Sequence, residues 1–110
     1  MDDAARRMAR NEATFRQANE EVEGAAARLG AGVAERFGFF CECSNPSCTR
    51  MVALTLTQYE AVRADATTFA VRPGHFEGDV ERVVETHAGY WVVRKSDAAA
   101  EEAERLDPRS

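Results

Sequence analysis

The sequence predicts an α+β fold fastened by a metal ion, on three observations. The hydrophobic period is helical from Ala4 to Leu29, changes to two from Phe37, and returns to helical in an alanine- and glutamate-rich tail. Three cysteines, Cys41, Cys43 and Cys48, crowd into one short stretch. At 110 residues, with 45% hydrophobic and 8% aromatic residues, the chain has room for one thin core, and a core of that size gains from a staple. The expected architecture is a long N-terminal helix, a small antiparallel sheet of four to five strands with one short helix, and a C-terminal helix, stapled by zinc. Residues 1–30 form the leading helix, 33–96 the zinc-binding core and 97–110 a helical tail, within one domain overall.

In the first segment Met8, Phe15, Val22 and Leu29 recur every seventh residue, with Asn11, Ala18 and Ala25 at the second position of the seam. Gly30 supplies the left-handed residue that ends such a helix. A narrow seam of this kind docks on the chain's own sheet or meets a helix of another protein, and a homo-oligomer is one form the second case could take. From Phe37 the alternation places Phe37, Phe39, Cys41 and Cys43 on one face of a strand. Asn45-Pro46-Ser47 supplies a turn, and a second strand returns over 49–54. Thr57 and Glu60 read as a capping box that opens a short helix reaching Asp65. Thr68 to Arg72 is a third strand, stopped by Pro73-Gly74. Val80 to Thr86 and Tyr90 to Lys95 form a hairpin around His87-Ala88-Gly89. The last helix starts at Asp97 as its cap and stops at Asp107-Pro108.

Charge narrows the partners. The net charge of -5 and the interleaving of Arg6, Arg7, Arg10 and Arg16 with Asp2, Asp3, Glu12 and Glu20 argue against nucleic acid, which asks for clustered cations. The longest apolar runs, such as Tyr90 to Val93, fall far short of the roughly 20 residues that cross a bilayer. The opening residues carry no hydrophobic leader, and the reading is a cytoplasmic protein with no membrane partner.

The chemistry concentrates in Cys41-x-Cys43-x4-Cys48. Residues two apart on an extended chain point the same way, and a turn at 45–47 brings the third thiol back, which fills three corners of a zinc tetrahedron. His75, presented by the Pro73-Gly74 bend, is the expected fourth ligand. His87 at the hairpin tip is the alternative, with Asp79 and Glu42 as weaker ones. A disulfide would leave one thiol over and is uncommon in the cytosol; an iron–sulfur cluster usually wants four cysteines. A site of three cysteines and a histidine is closed, and closed zinc sites are structural. The sequence holds no phosphate-binding glycine loop, no nucleophile elbow and no His-Glu-x-x-His helix. Glu81 and Glu85 read as the solvent side of a strand, and Tyr90 and Trp91 as packing residues.

Several stretches resemble a group of short, uncharacterised proteins from actinobacteria and their relatives: Asn11-Glu12-x-x-Phe15-Arg16-x-x-Asn19-Glu20, Cys41-Glu42-Cys43-x4-Cys48, Leu56-Thr57-x-Tyr59-x-x-Val62-Arg63, Phe69-x-Val71-x-Pro73-Gly74-His75 and Asp107-Pro108-Arg109. The resemblance implies an architecture and groups Cys41, Cys43, Cys48 and His75 as one constellation, without a mechanism. The function expected is a zinc-stabilised protein-interaction or regulatory module that meets another protein through its N-terminal helix. A thiol-based redox or zinc sensor is the second expectation, and a small hydrolase with an open zinc position the third.

Overall fold

A computed structural model describes residues 3–43, 45, 47–78 and 80–109 of the chain. Two expectations, the corner at Pro46 and Asp79 as a weaker ligand, lie outside the described residues.

The leading helix α1 spans Asp3–Arg28, and it ends as its sequence requires. Gly30 has φ +73°, its N–H donates to Ala27 O at 3.1 Å, and Ala31 N–H donates to Ala26 O at 3.3 Å, the paired bonds of a glycine-closed helix end. Strands β1 (Arg36–Phe40) and β2 (Met51–Thr55) pair antiparallel, with Phe37 opposite Leu54 and Phe39 opposite Val52. Helix α2 (Leu56–Arg63) follows β2 without a loop. Its capping box uses Thr55 and Gln58, two residues earlier than Thr57 and Glu60: Gln58 N–H donates to Thr55 Oγ1 at 3.1 Å, and Thr55 N–H donates to Gln58 Oε1 at 2.8 Å. Starting there turns Tyr59 and Val62 inward.

Strands β3 (Thr68–Val71), β4 (Glu81–His87) and β5 (Tyr90–Lys95) form a second sheet in the order β3-β5-β4, all antiparallel, with a bulge at Val84. The hairpin joins β4 to β5 through Ala88-Gly89, where Gly89 adopts φ +89°. Helix α3 (Asp97–Arg105) closes the chain. Its cap position is Ser96, one residue before the expected Asp97.

The five strands thus divide into sheets of two and three rather than one sheet of four to five. The division follows from where β1 ends. Beyond Phe40 the chain leaves β2 and reaches across to β3, where Glu42 N–H donates to Ala70 O at 2.8 Å. Both faces of the three-stranded sheet are consequently covered. Ala70, Tyr90 and Val92 join Phe39, Val52, Leu54, Tyr59 and Val62 in one core, with Phe39 and Tyr59 stacked at 4.5 Å. Phe69, Val71 and Val93 join Cys41, Cys43 and Ala103 in a second. All of β3 is buried, which explains why it reads Thr-Phe-Ala-Val with no polar alternation.

Helix α1 docks on its own chain, against α3 and β1, and the expected seam takes a partial share: Val22 packs on the first core and Met8 and Phe15 are half-buried. Leu29 is 85% exposed. The buried stripe is instead Glu12, Arg16, Asn19 and Ala26. Arg16 lies over the Phe69 ring at 3.6 Å and donates to the carbonyls of Ala66 and Thr68. Glu12 pairs with buried Lys95, which also binds Glu81 at 3.0 Å. Glu81 is therefore a core residue and not a solvent-side one, since β4 pairs it directly with Lys95. Arg63 bridges Glu20 at 2.6 Å and Asp107, and Arg109 reaches Glu20, Glu23 and Glu60, so the chain end clamps α1 to α2. Among the described residues no helix is long and apolar enough to cross a membrane.

Candidate metal centre

Four side chains predicted as ligands meet at one end of the second core. The donor atoms of Cys41, Cys43, Cys48 and His75 all lie within 4.8 Å of one another. His75 Nδ1 stands 3.6 Å from Cys41 Sγ and 3.8 Å from Cys48 Sγ. Sulfur at about 2.3 Å and nitrogen at about 2.0–2.1 Å from a tetrahedral zinc stand about 3.6 Å apart, so these separations fit a shared ion.

Each donor is placed by local bonds. Cys41 N–H donates to Arg50 O at 3.0 Å, which carries the β1–β2 ladder one step past the strands. With Glu42 hooked to Ala70, Cys41 and Cys43 point into the second core while Glu42 points away from it. The two thiols share a face as expected, although they lie beyond the strand rather than on it, and in a different core from Phe39. Asn45 Oδ1 accepts from Ser47 N–H at 2.9 Å and Asn45 O accepts from Cys48 N–H at 3.1 Å, a side-chain-led turn that returns Cys48 to the others. His75 is delivered by a turn in which Pro73 precedes Gly74 at φ +87° and His75 N–H donates to Arg72 O at 3.0 Å.

Burial and hydrogen bonding divide the thiols. Cys41 is 1% exposed and accepts from Arg72 N–H at 3.2 Å; its contact with Cys43 and its burial push its pKa far up. The same contact, with Cys41 donating, pulls Cys43 down to about 5, helped by the backbone of Asn45 and by His75 and Cys48. At neutral pH the cluster therefore carries thiolate character, the form that binds metal. Donation from Arg72 N–H to Cys41 Sγ is an outer layer of support that would orient this sulfur toward an ion. A cleft of about 390 Å³, lined by Cys43, Asn45, Gly74, His75, Phe76 and Glu77, runs along one side of the cluster.

The other expected candidates go elsewhere. His87 is exposed, bound to Glu85 at 2.8 Å and stacked on Tyr90 at 4.6 Å. Glu42 is fully buried and not among the grouped donors, and its carboxylate is occupied by Asn19, Tyr59 and Ala70 N–H. Reading the sequence missed that role for Glu42 and the support from Arg72. The available signal was the alternation itself, since a residue between two inward cysteines must face the opposite way.

What the arrangement can do chemically is hold a metal ion through three sulfurs and one imidazole. No protein-family model, curated protein or solved structure matches the chain.

Proposed function

We propose that the chain is a zinc-stabilised protein-interaction or regulatory module whose structural centre is Cys41, Cys43, Cys48 and His75. The observation that carries the reading is the convergence of three thiols and an imidazole, from the segments after β1, before β2 and after β3, within 4.8 Å. Bringing three thiols and an imidazole together from separated segments has little use in packing and fits a tetrahedral ion well. Zinc is favoured over harder cations by the sulfur-rich set, and a set already holding four ligands serves folding rather than Lewis-acid chemistry. The ion would fasten the β1–β2 connection of the first sheet to the β3–β4 connection of the second. The partner is expected on the outward side of α1, where Arg10, Ala13, Thr14 and Gln17 with Leu106 border a groove of about 380 Å³.

Titration of the reduced protein with cobalt(II) tests the centre. The expected result is the intense visible absorption of a tetrahedral thiolate site, abolished by one equivalent of zinc. A weak octahedral spectrum unaffected by zinc would contradict it. Recovery of a partner by the intact protein, lost when Ala13 and Gln17 are changed to Glu, tests the interaction half.

A second reading, a thiol-based redox or zinc sensor, is favoured by the cleft that opens beside Cys43 and His75. It requires mild peroxide to release zinc to a chromogenic chelator, and retention of the metal under peroxide removes it.

A further inference from the structure

Glu42 stands between two of the four donors and faces away from them. It is 0% exposed, and three elements converge on it. Ala70 N–H of β3 donates to Oε1 at 3.0 Å, Asn19 Nδ2 of α1 to Oε2 at 3.0 Å, and Tyr59 OH of α2 to Oε2 at 3.1 Å. Arg16 of α1 lies 3.6 Å from Oε1. Asn19 also treats Phe40 as a neighbouring strand would, donating to its carbonyl at 2.9 Å and accepting from its N–H at 2.7 Å. Helix α1 is thus fastened to residues 40–42, directly beside the first two donors.

We infer that metal binding and the docking of α1 are coupled through Glu42, so that each stabilises the other; this rests on the metal-centre reading above. The three residues 41–43 share one stretch of backbone. When Cys41 and Cys43 are drawn to one ion, alternation aims the Glu42 carboxylate at Asn19, Tyr59 and Ala70. In the other direction, undocking of α1 removes Arg16 and Asn19 and leaves a buried carboxylate short of its charge partner, which loosens the segment that carries the thiols. Coupling of this kind is reciprocal by thermodynamic necessity. Glu42 is a positioning residue for the centre, and the metal acts as a latch on α1.

The test uses the full chain. Zinc affinity is measured by competition with a chromogenic chelator for the wild type, Asn19→Ala, Glu42→Gln and, as a control that weakens the apolar core elsewhere, Val92→Ala. Amide hydrogen exchange is followed with zinc and after chelation. Asn19→Ala and Glu42→Gln are expected to lose about tenfold in zinc affinity, while Val92→Ala binds as the wild type does. Chelation is expected to speed exchange across residues 12–26 while the β4–β5 hairpin keeps its protection. Wild-type zinc affinity in Asn19→Ala, unchanged exchange in α1 after chelation, or equal loss of protection everywhere would each overturn the coupling. Should Glu42→Gln fail to fold, Asn19→Ala and the wild-type exchange comparison decide the matter. A wild type that takes up no zinc would remove the metal centre itself, and with it the latch, a result distinct from a loaded protein whose helix ignores the metal.

Discussion

Beneath α1 the chain buries charges against one another; in the connections after β1 and β3 it gathers donors suited to a cation from outside. Beneath α1, Arg16 meets Glu42 and the Phe69 ring, and Lys95 meets Glu12 and Glu81. The neighbouring cluster consists of three thiols and an imidazole. The first region is assembled from side chains of both signs and depends on each of them. The second is suited to an ion, which would come from outside the chain. Burial of charge makes the helix interface intolerant of single losses, because removing one partner strands the other. Gathering metal-binding donors would make the β1–β2 and β3–β4 connections depend on metal supply.

The largest effect should come from the cluster. Replacing Cys41 by Ser is expected to abolish stoichiometric zinc in metal analysis and to lower the melting temperature by about 10 °C or more, since a structural ion contributes several kcal/mol and each of those shifts a domain of this size by about 4–8 °C. A melting temperature equal to that of the wild type would place the stability elsewhere.

Next comes the charge layer. Arg16→Ala strands Glu42 and removes the cover of Phe69, and urea unfolding should show a loss of about 3–5 kcal/mol. A loss under about 1 kcal/mol, the ordinary value for an exposed pair, would mean that the layer is not sealed from water.

The pH response sharpens the contrast further. Burial pushes Glu12 up to about 8, with Glu81 adding to the rise and Lys95 opposing it. Two carboxylates face one ammonium there, so the folded chain keeps a proton that the unfolded chain releases near 4.5. This contribution is complete below about 4.5 and is lost as the pH rises through about 8. Glu12→Gln should therefore gain on the wild type between pH 5 and pH 8.5, by a few kcal/mol (at most about 4) in urea unfolding free energies. Parallel curves would contradict the assignment.

The smallest effect is expected at His87. Exposed, with its contacts to Glu85 and the Tyr90 ring open to solvent, it should tolerate Ala with a change of less than about 1 kcal/mol and unchanged zinc content.

Much of the cluster was legible in the sequence because its geometry is local. Alternation orients Cys41 and Cys43, Asn45 turns the chain back to Cys48, and Pro73-Gly74 separates His75 from His87. The charge layer was not legible, because carboxylates and guanidinium groups at helical spacing look like a solvated face until their partners are known. Glu12 and Arg16 find theirs on β5 and after β1, far along the chain. Glu81 was hidden for the same reason, its partner Lys95 lying on the next strand. The capping box was misplaced because Thr55-Gln58 and Thr57-Glu60 fit one pattern; packing of Tyr59, Val62 and half-buried Leu56 against the first core selects the earlier start. The split into two sheets could not be read from alternation, which runs through Cys43 although pairing with β2 stops at Phe40 and Cys41.

Native mass spectrometry of the fully reduced protein, with His75→Ala alongside, tests the metal centre most directly. One zinc per wild-type chain, with weakened retention in the variant, is the predicted result. A folded wild type that flies as bare polypeptide, or a variant that holds its ion as firmly as the parent, would contradict a centre built from three cysteines and His75.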